Sequence, residues 1–354
     1  MNTLRPIAQQ FAKTITHISP MGNGLINDTF LVTAASSRFV LQRINSKVFP
    51  EPRQIMDNLM VLNQHVKQKQ NTAVKLQIPE LLKTIDQQNF YQDEFGDYWR
   101  ALGYIEKTES LETIGNLNQA TQAGYALGHF HQLLSDLKPS LLHDTLPGFH
   151  ITPDYFARYE KIVAELPKQG VSENQYCAQF IEKFQPKVAV LETAKQQGLL
   201  SLRVIHGDPK LNNFLFDLHG EKIISIIDLD TVKPGLIHYD IGDCLRSCCH
   251  NVVSNEFDLE SCGALLTGYL SETRLFFSAE DYEYLYAAIY LIPFELGLRF
   301  YTDYLEGNSY FKVTYPKQNL QRAEEQFRLC ESILGQEAGI RSLIETASKP
   351  IKSR

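Results

Sequence analysis

Along the first hundred residues, short runs of apolar and polar positions alternate at the period of β-strands. Segments 15–19, 28–33 and 38–43 are rich in β-branched and aromatic residues and are separated by turn residues. They predict a meander of three strands. The loop Met21-Gly22-Asn23-Gly24 joins the first two strands, and Ala34 to Ser37 joins the second to the third. The period then changes. Over residues 53–69, Ile55, Leu59 and Leu62 recur at helical spacing, as one apolar face of a helix requires. Strands return between Leu81 and Ile105, with polar turns at 86–89 and 94–97. Beyond that point the chain reads as helical. Ala120, Ala123, Leu127, Phe130 and Leu134 step by three and four, the signature of a helix facing a core. Further helices are predicted near 153–166, 175–197, 240–250, 256–272, 280–302 and 317–335. One β-island interrupts them at 202–228, read as strand, loop, strand, turn and strand. The expected fold class is α+β. Its domains divide into a β-rich lobe, residues 1–105, and a mainly helical lobe, residues 106–354.

Composition narrows the class without naming it. The chain has 354 residues, 44% of them apolar and 21% charged. That length supports a sizeable core without help from metals or disulfides. The net charge of −7 argues against partners that need a basic face, such as nucleic acid or an anionic membrane. Six cysteines, sparse and unevenly spaced, do not form a disulfide framework. Cys244, Cys248, Cys249 and His250 lie close together, but they contain no CxxC pair and read as core thiols rather than as a zinc site. No apolar run reaches the ~18 residues of a membrane span, and the N-terminus lacks the apolar stretch of a secretory signal. A reducing cytoplasm is the expected location.

The strongest chemical signal is Val204-Ile205-His206-Gly207-Asp208-Pro209-Lys210-Leu211-Asn212-Asn213-Phe214-Leu215-Phe216-Asp217. An apolar strand enters a polar loop, and a second apolar strand leaves it. Shortly after comes Ile226-Ile227-Asp228-Leu229-Asp230, a buried strand that delivers another carboxylate near the loop. A surface turn would account for Asp208 and Asn213 as backbone caps, but not for the second strand ending in Asp228. Phosphoryl transfer needs these residue types. A carboxylate must orient the attacking hydroxyl, and hard oxygen ligands must hold Mg²⁺ against the phosphates. Asp208 suits the first task, and Asn213 and Asp228 suit the second.

His206-Gly207-Asp208 with Asn213 resembles the HGDxxxxN loop of the aminoglycoside phosphotransferase and choline kinase group. It is also similar to the HRDxxxxN loop of protein kinases. The resemblance implies a protein-kinase-like fold of two lobes, with ATP between them. It makes Asp208 and Lys210 catalytic, Asn213 and Asp228 the Mg²⁺ ligands, and His206 a structural brace of the loop. The nucleotide contacts it implies are Gly22, Asn23, Gly24 and Asn27 in the loop over the phosphates, and Tyr104 and Ile105 at the hinge. Kinases also carry a lysine on the third strand for the α- and β-phosphates. Here Gln42 stands in that register, and Arg43 follows on the opposite face. Glu51 is one acidic candidate to pair with whichever residue takes over.

Longer stretches narrow the resemblance. They are Gly24-Leu25-Ile26-Asn27-Asp28-Thr29-Phe30, Leu41-Gln42-Arg43-Ile44-Asn45, Asp228-Leu229-Asp230-Thr231-Val232-Lys233-Pro234-Gly235 leading into Tyr239-Asp240-Ile241-Gly242-Asp243-Cys244-Leu245-Arg246-Ser247, and Phe294-Glu295-Leu296-Gly297-Leu298-Arg299-Phe300-Tyr301-Thr302-Asp303-Tyr304-Leu305-Glu306-Gly307-Asn308. They resemble N-acetylhexosamine 1-kinases and their relatives over residues 15–335. The resemblance implies transfer of the γ-phosphoryl of ATP to the anomeric hydroxyl of a sugar, with Asp208, Arg246, Arg299, Asp303 and Tyr304 around the acceptor. The residues themselves leave alternatives open. Arg299 with Asp303, and Asp243 with Arg246, also fit ion pairs within one helix. Asp240 reads as a brace for the catalytic loop. The acceptor is open to an aminoglycoside, choline, homoserine or another sugar, and a non-catalytic nucleotide-binding protein of kinase ancestry is a third reading.

Overall fold

A computed structural model of the chain describes residues 4–22, 26–69, 75–165 and 175–349. A short helix, α1 (Leu4–Ala8), precedes the meander of β1 (Ile15–Pro20), β2 (Asp28–Ala34) and β3 (Arg38–Ile44). Helix α2 (Pro52–Gln68) and strands β4 (Leu81–Leu82), β5 (Tyr91–Gln92) and β6 (Tyr98–Gly103) follow. These strands form one antiparallel sheet in the order β1-β2-β3-β6-β4, with β5 also paired to β6. Alternation gives the sheet two different faces. Phe39, Leu41, Trp99 and Ala101 close against Ala8 of α1 and Val32 in a small core of their own. The opposite face carries Val40, Gln42, Arg100 and Leu102 in register. Ile44 at the end of β3 joins Ile55, Met56, Leu59 and Leu62 of α2 in the large core.

The helical part begins with β7 (Thr108–Ser110), α3 (Leu117–Leu133), α4 (Thr152–Glu165), α5 (Gln175–Phe184) and α6 (Val190–Gln196). The β-island supplies β8 (Arg203–Ile205), β9 (Phe214–Asp217), β10 (Ile223–Ile226) and β11 (Lys233–Gly235). Helix α7 (Ile237–Cys248), the small hairpin β12 (His250–Asn251) and β13 (Glu256–Phe257), then α8 (Leu259–Thr273), α9 (Ala279–Leu305), α10 (Gln318–Gly335) and α11 (Glu337–Ser348) complete it. Helices α3 and α8 cross at glycines. A Cβ on Gly124 would lie 1.9 Å from the Leu265 carbonyl oxygen, so only glycine permits this approach. Among the described residues no helix is long and apolar enough to cross a membrane.

A β-rich sheet followed by helices is thus the observed α+β architecture. The predicted helices recur with shifted ends. The segment expected as one helix over 175–197 breaks into α5 and α6 around a 3-10 turn at Gln185–Lys187, because Pro186 lacks an N–H and disfavours helix in the residue before it. Several elements escape the periodicity, among them β7 and the hairpin β12–β13, which lies where predicted helices were to end and begin. Strand β11 contains Pro234 and Gly235 and reads as a turn, yet it pairs with β8. Helix α1 is too short to show a period, and α11 lies beyond the last predicted helix.

Candidate active site

Strand β8 ends at Ile205, and the polypeptide turns sharply through Gly207. Gly207 has φ +87°, and a Cβ there would sit 2.5 Å from the Thr231 carbonyl oxygen. Only glycine takes that conformation in that space. Buried Asp240, on the first turn of α7, receives the loop. Its carboxylate accepts the His206 N–H at 2.6 Å, the Gly207 N–H at 2.8 Å and His131 Nε2–H at 2.8 Å. The His206 ring donates to the Ile227 carbonyl at 2.9 Å, and the Thr231 hydroxyl donates to the His206 carbonyl at 2.8 Å. His206 and Asp240 therefore brace the loop, as their sequence context implies.

A second brace comes from the helical part. His150 Nε2 donates to the Gly207 carbonyl at 2.8 Å, and its Nδ1 donates to Glu295 at 3.1 Å. Burial opposes a charge on His150, but Glu295 outweighs it and holds the imidazole above its ordinary pKa. Thr152 donates to the other Glu295 oxygen at 2.8 Å.

Held in this way, the loop presents Asp208 half-buried. Its Oδ2 accepts Lys210 Nζ at 2.6 Å. Burial works against the Lys210 charge, yet Asp208 and Asp228 hold its pKa raised. The Asn213 amide donates to the Asp208 carbonyl oxygen at 2.7 Å and reaches Asp208 Oδ2 at 3.4 Å. With its nitrogen so engaged, Asn213 leaves its amide oxygen without a hydrogen bond among the described residues. Asp228 follows β10 in a left-handed conformation, φ 65° and ψ 54°, rare for a residue with a side chain. Its carboxylate accepts no hydrogen bond among the described residues, and the residue keeps solvent access. The protein packed around it, then the charges of Asp230 and Asp208, push Asp228 up to about 6. Lys210 and Arg100 oppose that rise.

These features fit a hard divalent cation. A free amide oxygen from Asn213 and an unpartnered carboxylate from Asp228 supply the ligands Mg²⁺ prefers. The negative charges of Asp230 and Asp208, which add to the effect of desolvation on Asp228, are charges a cation would neutralise.

The nucleotide residues expected from sequence are placed unevenly. Gly22 is exposed with φ +69°, whereas Asn23 and Gly24 lie outside the described residues. Asn27 is buried, and its amide donates to Asp230 Oδ2 at 2.7 Å while its oxygen accepts the Asn45 N–H at 3.0 Å. Gln42 faces the cleft side of the sheet and bonds Thr29 and Arg100. Arg43 is turned to solvent, where it pairs with Asp28 and with Asp97 at 2.9 Å. Tyr104 is half-buried under the Arg38 guanidinium at 4.6 Å, and Ile105 is buried beside it. Glu51 is exposed just before α2 and caps nothing.

Around the acceptor end, Arg246 donates to Asp243 at 2.8 Å, so this pair lies within α7. Arg299 makes no pair with Asp303. Its guanidinium instead lies between the rings of Phe149 at 5.0 Å, Tyr155 at 5.1 Å and Phe311 at 5.6 Å. It has no hydrogen-bond acceptor among the described residues, and it is close enough to Asp208 to feel its charge. Asp303 is buried and occupied. It accepts the Tyr310 N–H at 2.7 Å, the Phe311 N–H at 3.0 Å and the Asn319 amide at 2.8 Å. It therefore shapes the turn that carries Phe311 rather than facing the Arg299 guanidinium directly. Tyr304 is half-buried against Tyr301, ring centroids 6.4 Å apart. All six cysteines are buried thiols.

Arg100, His131, His150 and Glu295 were not foreseen. Arg100 and Glu295 each leave a local trace, a charge set among apolar residues in the middle of a strand and of a helix.

A sheet with five strands in line followed by a helical body, with an Asp-Asn loop and a second Asp close enough to feel its charge, is a kinase-like phosphotransferase fold. The chain matches the phosphotransferase enzyme family over residues 17–276 and belongs to it. Solved structures share the architecture at low identity. The microcompartment-associated aminopropanol kinase superposes with a TM-score of 0.69 at 14% identity, over 97% of this chain and 99% of that one. An aminoglycoside phosphotransferase from Alicyclobacillus acidocaldarius gives 0.66 at 13% identity, over 97% and 96%. A choline kinase from Cryptosporidium parvum gives 0.58 at 14% identity, over 99% and 96%.

Proposed function

We propose that the protein is an ATP- and Mg²⁺-dependent small-molecule kinase whose acceptor is the anomeric hydroxyl of an N-acetylhexosamine. The lobes are residues 1–105 and 106–354, and the nucleotide lies between them. Asp208 orients the acceptor hydroxyl and takes up its proton as the oxygen attacks. Lys210, held by Asp208, neutralises charge that builds on the transferred group. Asn213 and Asp228 hold Mg²⁺, which when bound shields the phosphate oxygens from the attacking oxygen. The chain itself contributes position and electrostatics more than covalent chemistry.

The observation that carries the acceptor class is Arg299. It is a fixed cation with donors only, boxed by three aromatic rings near Asp208, and without an acceptor of its own. Such a group repels the ammonium of choline, an amino alcohol or an aminoglycoside. It favours a neutral acceptor that offers carbonyl or hydroxyl oxygens, and the aromatic rings suit a sugar face. The sequence resemblance over residues 15–335 supports the acetamido sugar in particular.

The test is a competition. Purified protein is incubated with ATP, Mg²⁺ and a pool of N-acetylhexosamines, hexoses, choline and aminoglycosides, and phosphorylated products are identified by mass spectrometry and NMR. An N-acetylhexosamine carrying phosphate on C1 is expected. A phosphorylated amino alcohol or aminoglycoside would overturn the acceptor and leave the chemistry. No phosphorylated product from any acceptor, with nucleotide still bound, would overturn the kinase reading.

A further inference from the structure

Strand β3 lacks the usual lysine, and the sheet face that should carry it shows what stands there. Gln42 of β3 lies opposite Arg100 of β6 and opposite Thr29 of β2, all on one face. Arg100 is 1% exposed. Its Nε and Nη2 both donate to Gln42 Oε1, at 3.0 and 2.7 Å. Nη2 also donates to Asp230, which is 3% exposed and lies two residues beyond Asp228. The other Asp230 oxygen is taken by Asn27. Gln42 therefore does not replace the lysine; it turns the Arg100 fork. One arm of that fork is left over. Arg100 Nη1 is buried and has no partner among the described residues.

A buried donor on a permanent charge, with nothing to donate to, costs more than an ordinary unmade hydrogen bond. Here the stranded arm belongs to the residue that bridges the sheet to the turn carrying Asp228. We infer that Arg100 is the phosphate-binding cation of this kinase: Nη1 donates to the α- or β-phosphate of the nucleotide, and Asp230 is the acidic partner that aims it. The inference rests on the kinase reading above. In protein kinases the strand lysine is aimed by a glutamate from a neighbouring helix. Here α2 turns Ile55, Met56, Asn58, Leu59 and Leu62 inward and no carboxylate. The acid comes instead from the same turn as the metal-binding Asp228. The cation for the phosphates and the ligand for the metal are thereby fixed to each other, and Asn27, just before β2, bonds the same acid. Arg43, the other candidate, is occupied on the solvent side by Asp28 and Asp97.

The test compares ADP with adenosine, because only ADP offers the phosphates. Binding of each is measured by calorimetry for the wild type, for Arg100→Lys, and for the double variant Arg100→Met/Asp230→Asn. The double variant removes both buried charges together and so avoids stranding one of them. Wild type is expected to prefer ADP. The double variant should lose ADP affinity by about 10- to 100-fold, the range of a lost charged hydrogen bond, with adenosine changed less than about threefold. Arg100→Lys keeps the charge but not the fork, so it cannot serve Asp230 and the phosphate together; it should lose about fivefold or more for ADP. If both variants keep the wild-type ratio of ADP to adenosine affinity, Arg100 is only a latch between sheet and turn, and the inference falls while the kinase reading stands. If wild type binds ADP no better than adenosine, both fall.

Discussion

Asp240→Asn is nearly isosteric, yet the geometry around it predicts a large effect. The Asp240 carboxylate receives three N–H donors, from His206 and His131 on Oδ2 and from Gly207 on Oδ1. An asparagine can be placed in two ways. With its oxygen at the Oδ2 position, its NH₂ meets the Gly207 N–H, donor against donor. With its NH₂ at the Oδ2 position, His131 can change tautomer and accept from it, because its Nδ1 then donates to the Tyr269 hydroxyl 2.9 Å away. The His206 N–H is then stranded instead. Either way one buried backbone donor loses its partner, at about 1–3 kcal/mol, and the remaining bonds lose the strength that the charge gave them, about 1 kcal/mol each. The sum is about 3–5 kcal/mol, concentrated on residues 206–208. Chemical unfolding should show that loss. Hydrogen exchange followed by mass spectrometry should show peptides spanning 203–210 losing protection well beyond the rest of the chain. Because Asp208 is the next residue, turnover should fall about 100-fold. Stability within about 1 kcal/mol of wild type, with unchanged exchange at 203–210, would refute the role given to Asp240.

Three further outcomes follow from the same geometry. Asp208→Asn should reduce turnover by about 10²- to 10⁴-fold, the usual contribution of a positioned base, while calorimetry shows ATP binding largely intact; near wild-type turnover would remove Asp208 from the mechanism. Gly207→Ala should cost about 2 kcal/mol or more in chemical unfolding, from a left-handed backbone and a Cβ driven against the Thr231 carbonyl, and an unchanged midpoint would contradict the loop conformation. Burial pushes the His238 imidazole down to about 4, so the unfolded chain takes up a proton near pH 6.5 that the folded chain refuses. The His238 contribution is fully present above pH 6.5 and is lost as pH falls toward 4, at most about 3 kcal/mol; His238→Gln should flatten that part of the stability–pH curve, and an unchanged slope would refute the assignment.

What could be read from the sequence is what lies close along the chain. The loop from His206 to Asn213 is one turn between two apolar strands, so its residue types and spacing carried the chemistry directly. Strand alternation separated Gln42 from Arg43, and the structure places them on opposite faces, with Gln42 toward the cleft. Asp240 follows the loop closely enough along the chain to read as its brace, and its carboxylate accepts the His206 and Gly207 N–H groups. The rest depends on pairings that no local pattern encodes. Arg100 meets Asp230 across 130 positions, His150 meets Glu295 across 145, and His131 meets Asp240 across 109. Arg299 and Asp303 show the converse error: a spacing that suits an ion pair on an isolated helix gave way to tertiary partners, aromatic rings for one and backbone amides for the other.

The acids of the cleft can be sorted by asking which of their hydrogen bonds the chain already makes. Asp240 is fully used, by three N–H donors. Asp230 is used by Arg100 and Asn27. Asp208 shares one oxygen between Lys210 and Asn213. Asp243 pairs with Arg246 through one oxygen and leaves the other buried without a partner. Asp228 receives no hydrogen bond among the described residues. The unused groups are therefore Asp228, one oxygen of Asp243, the amide oxygen of Asn213, Nη1 of Arg100 and the guanidinium of Arg299. They are also neighbours in charge. Asp228 feels Asp208, Lys210 and Arg100; Asp243 feels Lys210; Arg299 feels Asp208. A folded chain leaves few such groups unpaired by accident. The unused acceptors are on Asp228, Asn213 and Asp243, and the unused donors on Arg100 and Arg299. That division suits a cation beside Asp228 and Asn213 and oxygen-rich groups beside each arginine, as the proposed phosphoryl transfer requires.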